Sequence, residues 1–268
     1  MISTAKQLVR KAGVTRERVA SVRMCCERHA LAAMGRPHKR YIGRILCYHS
    51  IGQSAYGVND VTPEKFRRHI ELALEAGYRF VPARDLALNG GGEKDLAITF
   101  DDGLRSVLTE AAPILKEYGL PWTFFPVSEW SDNRHPFNDD DFVLGWRDIE
   151  ALLAAGAEMG SHSATHPDFG GIELAQMTDE LGGSRDMFQK RLGFAPETFA
   201  IPLGQSGNWR TCAQQAAHDA GYSIIYAQAE NTRPDGTVPR TFITQFDGDR
   251  IFKAVLKGKF DTWEEWVW

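Results

Sequence analysis

Leu96-Ala97-Ile98-Thr99-Phe100-Asp101-Asp102-Gly103 is the stretch from which the rest of the chain is read. Leu96 to Phe100 is short, apolar, partly β-branched and aromatic, and turn residues bound it on both sides, so it predicts a buried strand. Two carboxylates follow at once. Acids at the end of a buried strand cost free energy unless something pairs with them, and as neighbours they repel. Taken alone, Asp-Asp-Gly reads as a turn and nothing more.

A second stretch changes that reading. Gly160-Ser161-His162-Ser163-Ala164-Thr165-His166-Pro167 carries two histidines four positions apart. On a helix they would share a face, but Gly160, Ser163, Thr165 and Pro167 predict a loop leaving a strand. Such a loop can still fold both imidazoles onto one ion. An HxxxH pair standing alone reads equally well as satisfied or surface histidines. Joined to a strand-end Asp, it offers two neutral nitrogens and one carboxylate. That is the ligand set of an open divalent site, suited to Zn²⁺, Fe²⁺ or a relative. One Asp then binds the ion, and the other stays charged beside it and can act on water.

Working outward, short apolar strands alternate with helices from Arg44 to about Thr244. Arg44 to Ser50 predicts a first strand ending in His49. Thr62-Pro63-Glu64 starts a helix, with Phe66, Ile70, Ala73 and Leu74 at helical spacing and Gly77 as its stop. Further strands are expected at Tyr78–Val81, Pro121–Val127, Ala157–Gly160, Thr198–Ile201, Tyr222–Ala227 and Val238–Thr244. Helices are expected after Gly103 and over Trp146–Ala155, Ile172–Leu192 and Trp209–Ala220, with Pro113 and Gly182-Gly183 as weak points. Alternation of this kind implies parallel strands with helical crossovers, and no Gly-rich phosphate loop follows any strand. The expected fold is therefore α/β, a (β/α) barrel of fewer than eight units, about seven, rather than a doubly wound sheet. In such barrels reactive groups collect at the carboxyl ends of the strands, where His49, Asp101-Asp102, His162, His166 and the Pro202-Leu203-Gly204 turn all fall.

Composition sets the outer limits. With 268 residues and a net charge of −4, the chain can bury a large single core and carries no nucleic-acid signature in its total. The charge is unevenly spread. Residues 1–40 form a basic amino-terminal extension, from Lys6 to Arg40, opposed only by Glu17 and Glu27. No apolar run follows these charges, so they do not read as a secretory signal, and no segment reads as membrane-spanning. Thr15 to Met34 can form a basic helix suited to peripheral contact with an anionic membrane or a partner, or else a solvated extension. Residues 41–248 are expected to be the catalytic domain, and 249–268 a tryptophan-rich tail packed on it. Cys25, Cys26, Cys47 and Cys212 show no metal-like spacing and read as reduced thiols, which suits the cytoplasm. Oligomeric state is not legible.

Thr99-Phe100-Asp101-Asp102-Gly103 followed by Ser161-His162-Ser163-Ala164-Thr165-His166 resembles the first two motifs of the polysaccharide deacetylases, the NodB-homology group or carbohydrate esterase family 4. The resemblance runs from about Arg44 to about Thr244. It implies a deformed barrel that hydrolyses N-acetyl groups from amino sugars of an exopolysaccharide or cell-envelope glycan. It also implies Asp101 as general base, and Asp102, His162 and His166 as ligands of a divalent metal, foremost Zn²⁺, with Co²⁺, Ni²⁺, Fe²⁺ or Mn²⁺ as alternatives. Pro202, Leu203 and Gly204 would border the substrate and the oxyanion. Two departures stand out. The third motif usually places Arg two residues before its proline, where this chain has Ala200, as in the subgroup reading Phe-Ala-Tyr-Pro; Arg240 is the cation expected to stand in beside Asp101. The usual Leu-x-His near the carboxyl end is also missing. Tyr48-His49 matches the Tyr-His pair of the biofilm-exopolysaccharide deacetylases, which makes His49 the expected general acid. Rival readings are a non-sugar amidase or deformylase on the same scaffold, and a non-catalytic carbohydrate-binding protein.

Overall fold

The structure, a computed structural model, describes residues 16–39, 42–137, 139, 141–228 and 236–263. The first fifteen residues of the basic extension, and Trp266 and Trp268 of the tail, lie outside the described residues.

Seven strands make the frame: β1 (Arg44–Tyr48), β2 (Asp95–Phe100), β3 (Thr123–Phe124), β4 (Glu158–Met159), β5 (Thr198–Ala200), β6 (Ile224–Gln228) and β7 (Thr237–Phe242). Neighbours in chain order pair in parallel from β1 to β4 and from β5 to β7, and β1 also pairs with β7. Between β4 and β5 the ring closes through one parallel bridge, Ser161 to Phe199. The result is a nearly closed parallel barrel of seven strands, the deformed (β/α) barrel that the resemblance implies. Strand β3 is shorter than the apolar run Pro121–Val127 suggests, because Pro121 and Pro126 have no N–H to give to a ladder. Phe125 N–H still donates to the Phe100 carbonyl at 2.8 Å.

The helices lie between the strands. Helix α2 (Pro63–Glu75) starts where Thr62 accepts the Lys65 N–H at 3.3 Å, with Pro63 at its first position, and buries Phe66, Ile70, Leu72 and Ala73. At ~1.5–3 kcal/mol for each large buried side chain, that stripe, more than propensity, holds the helix. Helix α3 (Ala83–Asn89) puts Ala83 and Leu86 into a cluster with Ile45, Ala97, Phe125, Ala200 and Tyr226. A π-turn over Val107–Ala111 leads into α4 (Ala112–Tyr118), so Pro113 falls at the start of the α-helical part, where its missing N–H costs little. Helix α5 spans Trp146–Ala154 and α6 spans Leu174–Leu192. Gly182 and Gly183 do not interrupt α6, because Met177, Leu181 and Phe188 are buried along it. Helix α7 is Thr211–Ala220, and α8 (Asp249–Leu256) buries Ile251, Phe252, Ala254, Val255 and Leu256.

Helix α1 (Arg16–Met34) precedes the barrel and packs against α8. Met24, Arg28 and Ala32 are its buried positions. Arg28 makes a two-pronged contact with Asp247, donates to the Phe242 carbonyl at 3.2 Å, and lies over the rings of Phe260 and Trp263. No helix among the described residues is long and apolar enough to cross a membrane.

Candidate metal centre and active site

The carboxyl ends of the strands bring the two motifs together. Strand β2 delivers Asp101, whose N–H continues the ladder to the Tyr48 carbonyl at 3.0 Å. The chain then turns sharply: Asp102 has φ 71° and Gly103 φ 68°. A side chain on Gly103 would press on Pro126, so glycine is required there for room as well as for backbone angle. From β4 the chain passes through Gly160, where a Cβ would overlap Phe125 and Thr198, and then through Ser161 to His162. The loop to His166 is pinned by α6: Glu180 accepts the N–H groups of Ala164 at 3.0 Å and Thr165 at 2.9 Å. Ser163 Oγ accepts the His166 N–H at 2.9 Å. Asp102, Ser163, His166 and Leu203 account for all but one of the non-glycine residues of positive φ among those described. Strain of this kind costs ~1–3 kcal/mol per residue, and here it gathers at one end of the barrel.

Asp102, His162 and His166 form a cluster that can hold a metal ion. His162 Nδ1 donates to the Ala200 carbonyl at 2.8 Å, which leaves its Nε2 lone pair for a ligand. The Nε2 atoms of His162 and His166 both lie 3.3 Å from Asp102 Oδ1. That oxygen is buried and makes no hydrogen bond, whereas Oδ2 accepts from the Tyr56 hydroxyl. A buried, unpaired carboxylate oxygen facing two imidazole nitrogens costs free energy as it stands and fits a divalent cation. Burial pushes the Asp102 carboxyl upward, but His162 and His166 outweigh it, and it is held well below the usual carboxylate range.

Asp101 is almost fully buried and grips Arg240 at both oxygens, Nη1 to Oδ1 at 2.6 Å and Nη2 to Oδ2 at 2.7 Å. Arg240 comes from β7, is itself 2% exposed, and lies over the rings of Phe125 and Tyr226. Its Nη1 also reaches Thr99 Oγ1 at 3.2 Å. Burial raises the Asp101 carboxyl, but the guanidinium, helped by His162, brings it below its ordinary value. His162 Nε2 lies 4.0 Å from Asp101 Oδ2. His49 is buried with Nε2 3.9 Å from Asp102 Oδ2, its ring on the edge of Phe242, and its Nδ1 without a partner. Burial lowers its pKa, and Asp102 and Asp101 partly restore it.

A cleft of about 900 Å³ opens on this centre, lined by His49, Asp102 and His166, with Asp101 and His162 buried out of its lining. Leu203, 49% exposed, lines it, while Pro202 is buried and Gly204 sits against the Gln228 side chain. Two neighbours were not singled out in the sequence. Cys47 donates its thiol to Asp101 Oδ2 at 3.3 Å, and strand alternation, which puts positions 47 and 49 on one face, was the available signal. Tyr56 comes from a short 3₁₀ segment, Ser54–Asn59, which no sequence signal marked.

Fold and site together define a nearly closed parallel barrel with an Asp-His-His cluster at its carboxyl mouth. Residues 89–225 match the family model described as polysaccharide deacetylase, and the chain belongs to that family. A Bacillus subtilis protein named as a polysaccharide deacetylase, YxkH, is 24% identical over 185 residues, which cover 67% of this chain and 62% of that one. The poly-beta-1,6-N-acetyl-D-glucosamine N-deacetylase of Escherichia coli K12 is 26% identical over 50% of this chain and 22% of its own length. The chain thus spans under two thirds of these relatives. Among solved structures, a de-N-acetylase from Aggregatibacter actinomycetemcomitans superposes with a TM-score of 0.67 at 21% identity, covering 79% of this chain and 98% of that one.

Proposed function

We propose that the protein is a metal-dependent hydrolase that removes N-acetyl groups from amino sugars of a glycan. The observation that carries this reading is the pairing of two arrangements at one barrel mouth. Asp102, His162 and His166 face one another around an unpaired carboxylate oxygen, and Asp101 stands beside them in the grip of Arg240. Binding alone needs no second carboxylate. When bound, a divalent cation supplies a Lewis acid for the amide carbonyl and for the attacking water. Two imidazoles and one carboxylate suit Zn²⁺ best, with Co²⁺, Ni²⁺, Fe²⁺ and Mn²⁺ sharing the set.

The chain's own residues do the rest. Asp101, kept ionised and oriented by Arg240, takes the proton of the attacking water. His49, buried with one free ring nitrogen, gives a proton to the leaving amine. The Pro202-Leu203-Gly204 turn borders the substrate. Side-chain amides of Gln205, Asn208, Gln228 and Gln245 in the cleft pair with sugar hydroxyls, and the rings of Tyr56 and Phe242 take the apolar faces. The relatives above, named for polysaccharides and poly-N-acetylglucosamine, favour an N-acetylated glycan over a non-sugar amide. Free Cys25, Cys26, Cys47 and Cys212 suit a reducing compartment.

Acetate release from N-acetylglucosamine oligomers, measured before and after chelation and with each metal restored, tests the proposal. Asp101→Asn should keep its metal and lose ~10²-fold or more in turnover. The double variant His162→Ala, His166→Ala should lose the metal. His49→Ala should keep the metal and lose kcat. Metal and sugar binding without any turnover in the wild type would leave a carbohydrate-binding protein.

A further inference from the structure

The cleft has a wall that the family match does not include. Ala20, Ser21 and Met24, together with Arg18, line it from α1, and His49, Asp102 and His166 line the same cleft. Helix α1 lies outside residues 89–225, the stretch matched to the family.

Its place is fixed by a built attachment. Arg28 is fully buried and grips both oxygens of Asp247, and Asp247 in turn accepts Thr244 N–H at 3.1 Å and Thr244 Oγ1 at 3.0 Å. The same guanidinium donates to the Phe242 carbonyl, and the Phe242 ring meets the His49 ring edge-on at 5.3 Å between centroids. One turn N-terminal to Arg28, Met24 is 3% exposed and faces the cleft. The helix is therefore tied to the strand end that flanks His49. A cleft of about 900 Å³ is near the upper end of the ~300–1,000 Å³ of pockets that enclose a small ligand, and suits a segment of a few sugar rings.

We propose that α1 is part of the substrate site. A short N-acetylated oligosaccharide segment, with one acetamide at the Asp102-His162-His166 cluster, reaches Ser21 and Ala20, so that α1 selects the glycan by the space and the hydroxyl partner it offers. This rests on the glycan reading above. It makes α1 a specificity element and leaves the chemistry to the barrel.

The test uses Ser21→Trp and Ala20→Trp in the full chain. Both positions are partly exposed, so a larger side chain enters the cleft and not the core. A β-linked N-acetylglucosamine tetramer is titrated by calorimetry and assayed for acetate release, and an aryl acetate reports the reacting centre alone. The expected result is a Kd and KM for the tetramer raised at least ~10-fold, as the indole takes the space of a sugar ring and, at Ser21, the hydroxyl partner is lost as well. Metal content and Tm should match wild type, and aryl acetate turnover should stay within about twofold of it, a shift well under 1 kcal/mol. Folded variants that bind and deacetylate the tetramer like wild type overturn the role of α1. Wild type that binds the tetramer without releasing acetate overturns the hydrolase reading alone, and weaker binding by the variants then still supports the wall. Wild type that binds no tetramer overturns the proposal.

Discussion

Among the buried arginine–aspartate pairs of the described residues, two serve opposite ends. Arg28 holds Asp247, and Arg240 holds Asp101, each through two nitrogens. All four residues are almost fully buried. The difference lies in what else each carboxylate faces. Asp247 fills its remaining acceptor sites with its own loop, through the N–H and hydroxyl of Thr244. Asp101 faces a thiol, Cys47, and an imidazole, His162, and is the neighbour of a carboxylate oxygen that nothing satisfies. The first arrangement is closed and fastens a helix. The second is left incomplete on one side, which is where chemistry has room. Burial and pairing alone therefore do not tell the two carboxylates apart; what else surrounds them does.

Breaking the open pair should have the largest effect. Removing one partner of a buried ion pair leaves an uncompensated charge and costs ~3–5 kcal/mol. Arg240→Met should lose that much stability and, in addition, ~10²-fold or more in kcat, since Asp101 loses the cation that keeps it ionised and in place. Chemical denaturation and acetate release measure the two losses. Full activity in a folded Arg240→Met protein would remove Arg240 from the mechanism.

Breaking the closed pair should cost stability without touching the reacting centre. Arg28→Met is expected to lose ~3–5 kcal/mol and to loosen α1, raising KM for an oligosaccharide while aryl acetate turnover holds. The double change Arg28→Met, Asp247→Leu should recover part of the stability, because no buried charge is then left unpaired. If aryl acetate turnover falls with the single variant as far as with Arg240→Met, the two pairs are not separate devices.

How much of this was legible depends on distance along the chain. Asp101-Asp102 and His162-x-x-x-His166 are local clusters at strand ends, and the alternation of strands and helices places strand ends together, so fold and cluster follow from sequence. Arg240 lies 139 residues from Asp101 and was legible only as a cation that a buried base needs. Arg28 lies 219 residues from Asp247 and stands in a basic run, where a charged residue is normally solvated; nothing local reveals that it is buried. Tyr56 sits in a 3₁₀ segment too short to leave a periodicity, and its contact with Asp102 is set by tertiary packing.

One histidine sharpens the same contrast at acid pH. His69 belongs to the closed side: Nδ1 meets the Tyr48 hydroxyl at 3.1 Å, Nε2 meets the Asp247 carbonyl, and the ring stacks on Phe252 at 4.0 Å. Burial lowers its pKa from 6.5 to about 4. The folded state thus stays neutral there while the unfolded chain takes up a proton. Stability rises with pH wherever the unfolded state binds more protons, so it should fall as pH drops from 6.5 to about 4, by ~3 kcal/mol in all. His69→Gln should flatten that limb by about one proton in a plot of stability against pH. An unchanged slope would mean that His69 does not titrate apart in the two states.

The smallest effect expected is at Asp102, which combines both arrangements in one carboxylate. Its Oδ2 is held by the Tyr56 hydroxyl, as a structural acid would be, while its Oδ1 is left open between His162 and His166. The hydroxyl fixes which oxygen faces the imidazoles, and Tyr56 is itself held among Phe137, Phe142 and His49. Tyr56→Phe keeps that ring packing and removes only the donor. Groups that orient a metal ligand are worth ~10–100-fold in affinity, and one hydrogen bond to a charged group that survives in water is at the lower end of that range. Zinc affinity, read by competition with a chromophoric chelator, should therefore weaken by ~10-fold with Tm nearly unchanged. A variant that binds zinc as tightly as wild type would show that the His162-His166 pair alone orients Asp102, and Tyr56 would then be a wall of the cleft and no more.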